Sequence, residues 1–341
     1  MGASWLEEVA GRTDRRLQSF FERKLEEARR TSPHAAELVS AVADLTVRGG
    51  KRLRPCALFA GYRAVNATGA SGVTTDAGAA LELLQSYLLI QDDWMDGDDE
   101  RRGGPSVHAA LSQAHGSEHL GASLAMLAGD LASGFAWELF ACAPFPVGRQ
   151  QEALGAFGRM HFEVVCGQQL DLIKSPDVAL VHDLKSGSYT VRGPLQLGAI
   201  LGGGDAAQIQ ALLAFGGPVG VAFQLRDDLL GTFGDPQRTG KSNGNDLRAG
   251  KFTSLIAEAR KALDPKGFAP IERVLGHRDA SDELVEEARR LLETCGARRV
   301  VEGRLAGEID RARRALAEAP LASEGTEMLE HLLGRLLMRE S

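Results

Sequence analysis

Four cysteines are all the chain has: Cys56, Cys142, Cys166 and Cys295. None stands in a CxxC pair or at a His/Cys zinc spacing, so they are expected to be free core thiols in a reducing cytoplasm. The stretch around Trp5-Leu-Glu-Glu-Val is too charged for the apolar region of a secretion signal. No run approaches the roughly 20 apolar residues that a membrane span needs. Alternating strand patterns are scarce, and neither a solenoid repeat nor an obvious linker is found. A net charge of −7 excludes bulk attraction to nucleic acid. What remains is a cytoplasmic protein without a stable membrane span.

Hydrophobic residues make up 44% of the chain and charged ones 25%, an ordinary globular mixture. Helical periodicity dominates. Leu17, Phe20, Phe21, Lys24 and Leu25 follow i, i+3, i+4 spacing, as do Leu38, Val42 and Leu45. Pro33 after Thr31-Ser32 predicts a helix start. Ala79 to Gln91 is apolar on most faces, which predicts a central helix. Ser281-Asp-Glu-Leu predicts an N-capped late helix. Turn residues mark loops at 66–72, 143–148 and 202–205. A longer polar loop, 234–250, is expected to be functional. The reading is one all-α domain over residues 1–341.

Residues 91–104 read Gln-Asp-Asp-Trp-Met-Asp-Gly-Asp-Asp-Glu-Arg-Arg-Gly-Gly and follow a segment that looks buried. Asp92 and Asp96 share a helix face, so a core helix carries two carboxylates where a hard divalent cation could sit. A second cluster, Gln224-Leu-Arg-Asp227-Asp228, follows the apolar segment 219–223. Two such clusters predict one metal site shared between facing walls. Bases accompany the acids. Gly49-Gly50-Lys51-Arg52-Leu53-Arg54 packs three cations behind two glycines, Arg101-Arg102 follow the first cluster, and Lys241 and Lys251 follow the second. Lysine and arginine suit phosphate. Acids for magnesium beside bases for phosphate predict a site for a magnesium-bound diphosphate.

These motifs, from Thr46 to Thr253, resemble those of the trans-isoprenyl diphosphate synthases, or polyprenyl synthetases. The resemblance implies an all-helical bundle of about ten or more helices around a deep central cavity, with the two acid motifs facing across its mouth. It implies magnesium, three ions per active site with substrate bound. Asp92 and Asp96 look like direct ligands supported by Asp93, and Asp227 like the ligand of the second motif beside Asp228. Lys51, Arg54, Gln85 and Arg102 are similar to residues that hold isopentenyl diphosphate, with Phe223 lining that pocket. Arg101, Lys185, Gln224, Lys241 and Lys251 are similar to those that hold the allylic diphosphate. Gly167-Gln168-Gln169-Leu170-Asp171 matches an element whose glutamine and aspartate line the site. By the same resemblance Asp92, Asp96, Lys185 and Asp227 carry the catalysis, and a homodimer is expected, with 124–140 as a candidate interface.

The chain departs from the fullest pattern at three places. Gln85 stands where many members have His. Lys185-Ser186 replaces Lys-Thr, which keeps the hydroxyl. Gly231 stands where a third Asp would be. No histidine belongs to the motifs, and the pyrophosphate released in the reaction is the expected base; His108 is read as structural. Product length is read below Asp92, from Leu88, Tyr87 and the deeper Leu84. An aromatic at Tyr87 with a leucine at 88 resembles the geranylgeranyl-forming type, with the farnesyl-forming type next. A terpene cyclase is a weaker fit, because it binds one diphosphate. A non-catalytic partner subunit is also weaker, because such subunits usually lose an acid motif. The plainest alternative is a helical scaffold whose acids bind stray cations.

Overall fold

Helices account for nearly all of the residues that the computed structural model describes, 4–234 and 244–337. Asp235 and Lys241 lie outside these described residues. The expected all-α class is what is found. The one strand pairing joins β1 (Glu100–Arg101) to β2 (Gly104–Pro105).

Local chemistry explains where the helices begin. The Ser32 hydroxyl accepts from the amides of His34 and Ala35 ahead of α2 (Pro33–Val47), with Pro33 at its first position. Asp205 and Gln208 form a reciprocal capping box at the start of α10 (Ala206–Phe233). Ser281 caps the helix Asp282–Thr294 as expected.

The central helix is α4 (Thr75–Asp96). Its Leu81, Leu83 and Leu84 are fully buried, each worth about 1.5–3 kcal/mol of apolar burial. It packs chiefly on α6 (Glu118–Ala141), and α7 (Val147–Leu172) packs chiefly on a π-helix (Asp183–Arg192). That π-helix also packs on α10, which is covered on another side by the helix Ala297–Ala317. Two helices correct the expectation about apolar length. By length and composition alone, α6 and α10 could each cross a membrane. Here both are packed among other helices, and Ala128, Ala132, Leu212 and Phe215 have no exposed surface.

α3 (Leu53–Val65) and α9 (Gly193–Gly202) cross with their backbones nearly touching. A Cβ at Gly198 would run into the Leu58 carbonyl oxygen, and one at Gly61 into that of Leu195. Gly198→Ala should therefore force the pair apart and lower stability by about 1–3 kcal/mol. Gly303→Ala, at a helical position with open space around it, should instead raise stability by about 0.5–1 kcal/mol. Urea unfolding of the two variants checks both signs; an undiminished Gly198→Ala variant would mean that the close crossing is not needed.

Candidate active site

The last turn of α4 carries Asp92 and Asp96 on one face. Gly97 ends the helix at φ 63, and the Asp98 amide closes it onto the Asp93 carbonyl at 2.8 Å. Two other elements reach Asp92. Gln168 on α7 donates to its Oδ1 at 3.0 Å, and Lys185 on the π-helix does so at 3.1 Å. The same Lys185 ammonium donates to Asp171 Oδ2 at 2.5 Å. Gly167 allows this convergence, since a Cβ there would strike the Lys185 backbone nitrogen. The wider coil that carries Lys185 and Ser186 has no period that the sequence reading could see.

The charges respond to one another. Burial alone would raise the pKa of Asp92, but the Lys185 charge and hydrogen bond outweigh it and hold the carboxyl below its ordinary value. Asp96 is raised, first by burial and then by repulsion from Asp92. Lys185 is lowered by burial, but the charges of Asp92 and Asp171 carry it well above the ordinary lysine range.

Asp93 points elsewhere. It is fully buried and accepts from Arg101 Nε at 2.6 Å, while its Oδ2 has no partner. Burial pushes its pKa to about 6 against the pull of Arg101. Arg101, expected at the allylic diphosphate, is thus paired here with Asp93, which was expected to support Asp92 and Asp96. The turn between β1 and β2 separates Arg101 from Arg102, both of its central residues having positive φ (54 at Arg102, 73 at Gly103).

The second wall is α10. Asp228 is 2% exposed, accepts from Gln224 Nε2 at 2.9 Å and from the Ser254 amide at 2.9 Å, and lies 3.7 Å from His182 Nε2. Burial drives its pKa up to about 7 and that of His182 down to about 4. Gln224, expected at the diphosphate, and Asp228, expected at the metal, thus brace each other in this structure. Asp227, the neighbouring position, is half-buried. Gly231 has a physical explanation. A Cβ there would collide with the Asp246 carboxylate, so Asp246 fills the space that a third motif aspartate would need. Lys251 is raised in pKa despite burial, by Asp246 first and then by Asp96 and Asp92 of the opposite wall. The sequence reading missed Asp246 and His182, and also Arg278, which donates to the carbonyls of Asp96 and Gly97 and so ties the late segment to the end of α4.

Below the mouth, the glycine-rich basic stretch divides by function. Arg52 is buried against Glu82 at 2.6 Å and Asp14 at 2.7 Å, a structural pairing. Arg54 is 8% exposed, donates to Thr190 Oγ1 at 3.1 Å and lies over the Tyr189 ring. Arg102 donates to the Leu45 carbonyl at 3.0 Å and nearly meets Gly50, where a Cβ would be 3.3 Å from its guanidinium. Neither Arg54 nor Arg102 has a carboxylate partner among the described residues. Lys51, just outside them, is exposed. Burial lowers the pKa of Arg102; Glu82 opposes this, and the charges of Arg52, Arg54 and Arg101 add to the lowering. Gln85, Tyr87, Leu88 and Phe223 are half-buried. Leu84, expected to line the cavity a turn below Leu88, is fully buried in the main core.

The donor set at the mouth is carboxylate oxygen, which suits a hard divalent cation. Among the described residues no three acidic, His or Cys side chains converge on one point. Each wall supplies part of a shell, which fits magnesium's habit of taking one or two carboxylates and completing its octahedron with phosphate oxygens and water.

Comparisons with known proteins agree with this geometry. The family model for polyprenyl synthetase matches residues 36–292. The geranylfarnesyl diphosphate synthase of Aeropyrum pernix is 30% identical over 89% of this chain and 94% of that protein. The (2E,6E)-farnesyl diphosphate synthase of Mycobacterium tuberculosis is 34% identical over 73% of this chain and 68% of its own. A solved geranylgeranyl pyrophosphate synthase from Corynebacterium glutamicum, complexed with isoprenyl diphosphate and magnesium, superposes with a TM-score of 0.90 at 32% identity, covering 98% of this chain and 99% of that one.

The Asp93–Arg101 pair yields a pH-dependent prediction. The folded-state pKa of Asp93 is raised above its unfolded value, so its ionisation in the fold is a cost that grows as pH rises through about 6. Arg101 offsets that cost. Arg101→Met should be destabilised by about 3 kcal/mol at pH 8 and clearly less at pH 5, where the carboxyl can take a proton. Urea unfolding at the two pH values tests this; an equal loss at both would show that the pair does not set the stability.

Proposed function

The chain belongs to the polyprenyl synthetase family of trans-prenyltransferases, and from that premise we propose that it condenses isopentenyl diphosphate head-to-tail with allylic diphosphates, using magnesium, to release a twenty-carbon product. The observation that carries this reading is the juxtaposition of a carboxylate mouth with two guanidiniums, Arg54 and Arg102, that form no ion pair with a carboxylate among the described residues. One region suits a cation-bound diphosphate, the other a bare one.

The chain's own residues divide the work. Lys185 and Lys251 offer fixed positive charge where the allylic leaving group gathers its negative charge, which lowers the barrier to ionisation; Lys241, expected in the same role, lies outside the described residues. Asp92, Asp96 and Asp227 would hold magnesium, which when bound neutralises the leaving pyrophosphate. Arg54, Arg102, Lys51 and Gln85 would orient isopentenyl diphosphate against the allylic carbon. The allylic C–O bond breaks with its electron pair going to pyrophosphate. The isopentenyl double bond forms the new C–C bond, and a proton leaves to a pyrophosphate oxygen. No histidine is needed for this, and the low pKa of His182 suits a packing role.

Tyr87 and Leu88 on α4 support a short product, since one ring and one aliphatic side chain stand a turn below Asp92. A homodimer is part of the reading. Only the first half of α6 supports an interface, since Leu120, Met126 and Leu127 are exposed while Phe135, Leu139 and Phe140 are interior.

Incubation with magnesium, labelled isopentenyl diphosphate and, separately, dimethylallyl, geranyl and farnesyl diphosphates should give twenty-carbon product from all three primers. A fifteen-carbon stop with farnesyl diphosphate refused would keep the reaction and contradict the length. Asp92→Ala should lose about 10³-fold in turnover with the fold kept; near-normal turnover would remove its metal role. Tyr87→Ala should lengthen the product, and an unchanged product would move the floor elsewhere.

A further inference from the structure

We propose that His161 on α7 is the second half of the floor that stops the growing chain, a specificity-determining residue that acts as a pair with Tyr87 on α4. The inference rests on the elongation reading above.

α4 packs chiefly on α6, and α7 on the π-helix and α9, so the two helices touch mainly through side chains. They do so at two levels. At the mouth, Gln168 of α7 bonds to Asp92 of α4 at 3.0 Å. Lower down, the His161 ring meets the Tyr87 ring edge-on, with centroids 5.2 Å apart and planes at 70°. His161 lies seven residues before Gln168, two turns or about 10.5 Å back along the same face of α7. Tyr87 lies five residues before Asp92, about 7.5 Å back along α4. Both helices therefore carry a polar group at the rim and a ring at depth. Between the levels stand apolar side chains, Leu88 on α4 and Val164 on α7.

His161 is backed so that it cannot yield easily. Trp137 of α6 lies behind it at 6.2 Å, Phe157 meets Trp137 at 4.8 Å, and Phe140 stacks on Phe157 at 4.5 Å. Phe140 and Phe157 have no exposed surface. The ladder thus runs from the half-buried Tyr87 and His161 into the rigid core, where close packing resists displacement. His161 makes no hydrogen bond among the described residues, and burial lowers its pKa, so the neutral ring that faces Tyr87 at physiological pH is compatible with a hydrocarbon tail. A floor made by Tyr87 alone would be a side chain free to swing; this contact and its backing hold it.

The test is the chain-length distribution made by the purified full chain with magnesium, labelled isopentenyl diphosphate and geranyl diphosphate. His161→Ala should shift the product by at least one isoprene unit, raising the ratio of the next-longer product to the wild-type one by about tenfold. His161→Phe keeps a ring in place and should return the wild-type product. Circular dichroism establishes that the variants fold; if His161→Ala does not, His161→Val carries the same prediction with less volume removed. Elongation with the same distribution in wild type and in the folded small variant overturns the inference and leaves the elongation reading intact. Absence of any elongation by the wild type overturns the elongation reading, and the inference with it.

Discussion

A single ammonium stands between carboxylates carried by two helices. Lys185 donates to Asp92 on α4 and to Asp171 on α7, and its own position is set by a π-helix pressed against Gly167. Without that charge, burial and mutual repulsion would push Asp92 and Asp96 toward their neutral forms, with Lys251 left to oppose it. With it, the Asp92 carboxyl is held below its ordinary pKa. In the proposed reaction the same lysine would carry the charge that a departing pyrophosphate needs, so one electrostatic arrangement would serve with and without substrate.

The paired aspartates of each wall follow from helix geometry. Neighbours on a helix point about 100° apart, so one of each pair faces the mouth while the other turns inward. The inward members, Asp93 and Asp228, are nearly without exposed surface, and each accepts from fixed donors: Arg101 to one oxygen of the first, Gln224 and the Ser254 amide to the second. Burying a carboxylate is expensive unless it is paired, and these partners tie the hairpin and the segment before Ser254 to the two walls. The second aspartate of each motif thus anchors the loop that the first one works beside. Arg278 adds a further tie, from the late segment to the end of α4.

Much of this was legible in the sequence, for identifiable reasons. Spacing put Asp92 and Asp96 on one face, the apolar run marked α4 as central, and serine and proline marked the helix starts. Glycines before a cation cluster pointed to Arg54, and the arginine pair after the first acid cluster pointed to Arg102. Other features have no one-dimensional sign. The commitment of Arg101 to Asp93 depends on a two-residue turn that sends Arg101 and Arg102 opposite ways. The burial of Arg52 depends on Glu82 and Asp14, both far away in sequence. Asp246 is hidden behind a glycine fifteen residues earlier, whose missing side chain matters only once the two are in contact. The register of Leu84 on α4 was readable, but its full burial in the main core was not. The His161 ring can be placed two turns below Gln168 from the sequence, yet only the pairing of α4 with α7 shows what it meets.

The central claim is that two diphosphate sites differ in kind, one built from carboxylates that need a cation and one built from guanidiniums that do not. Calorimetric titration of the wild-type chain with inorganic pyrophosphate, once in excess magnesium and once in EDTA, tests it directly. The account predicts about two equivalents per chain with magnesium and about one without it. The same stoichiometry and affinity in both conditions would contradict it.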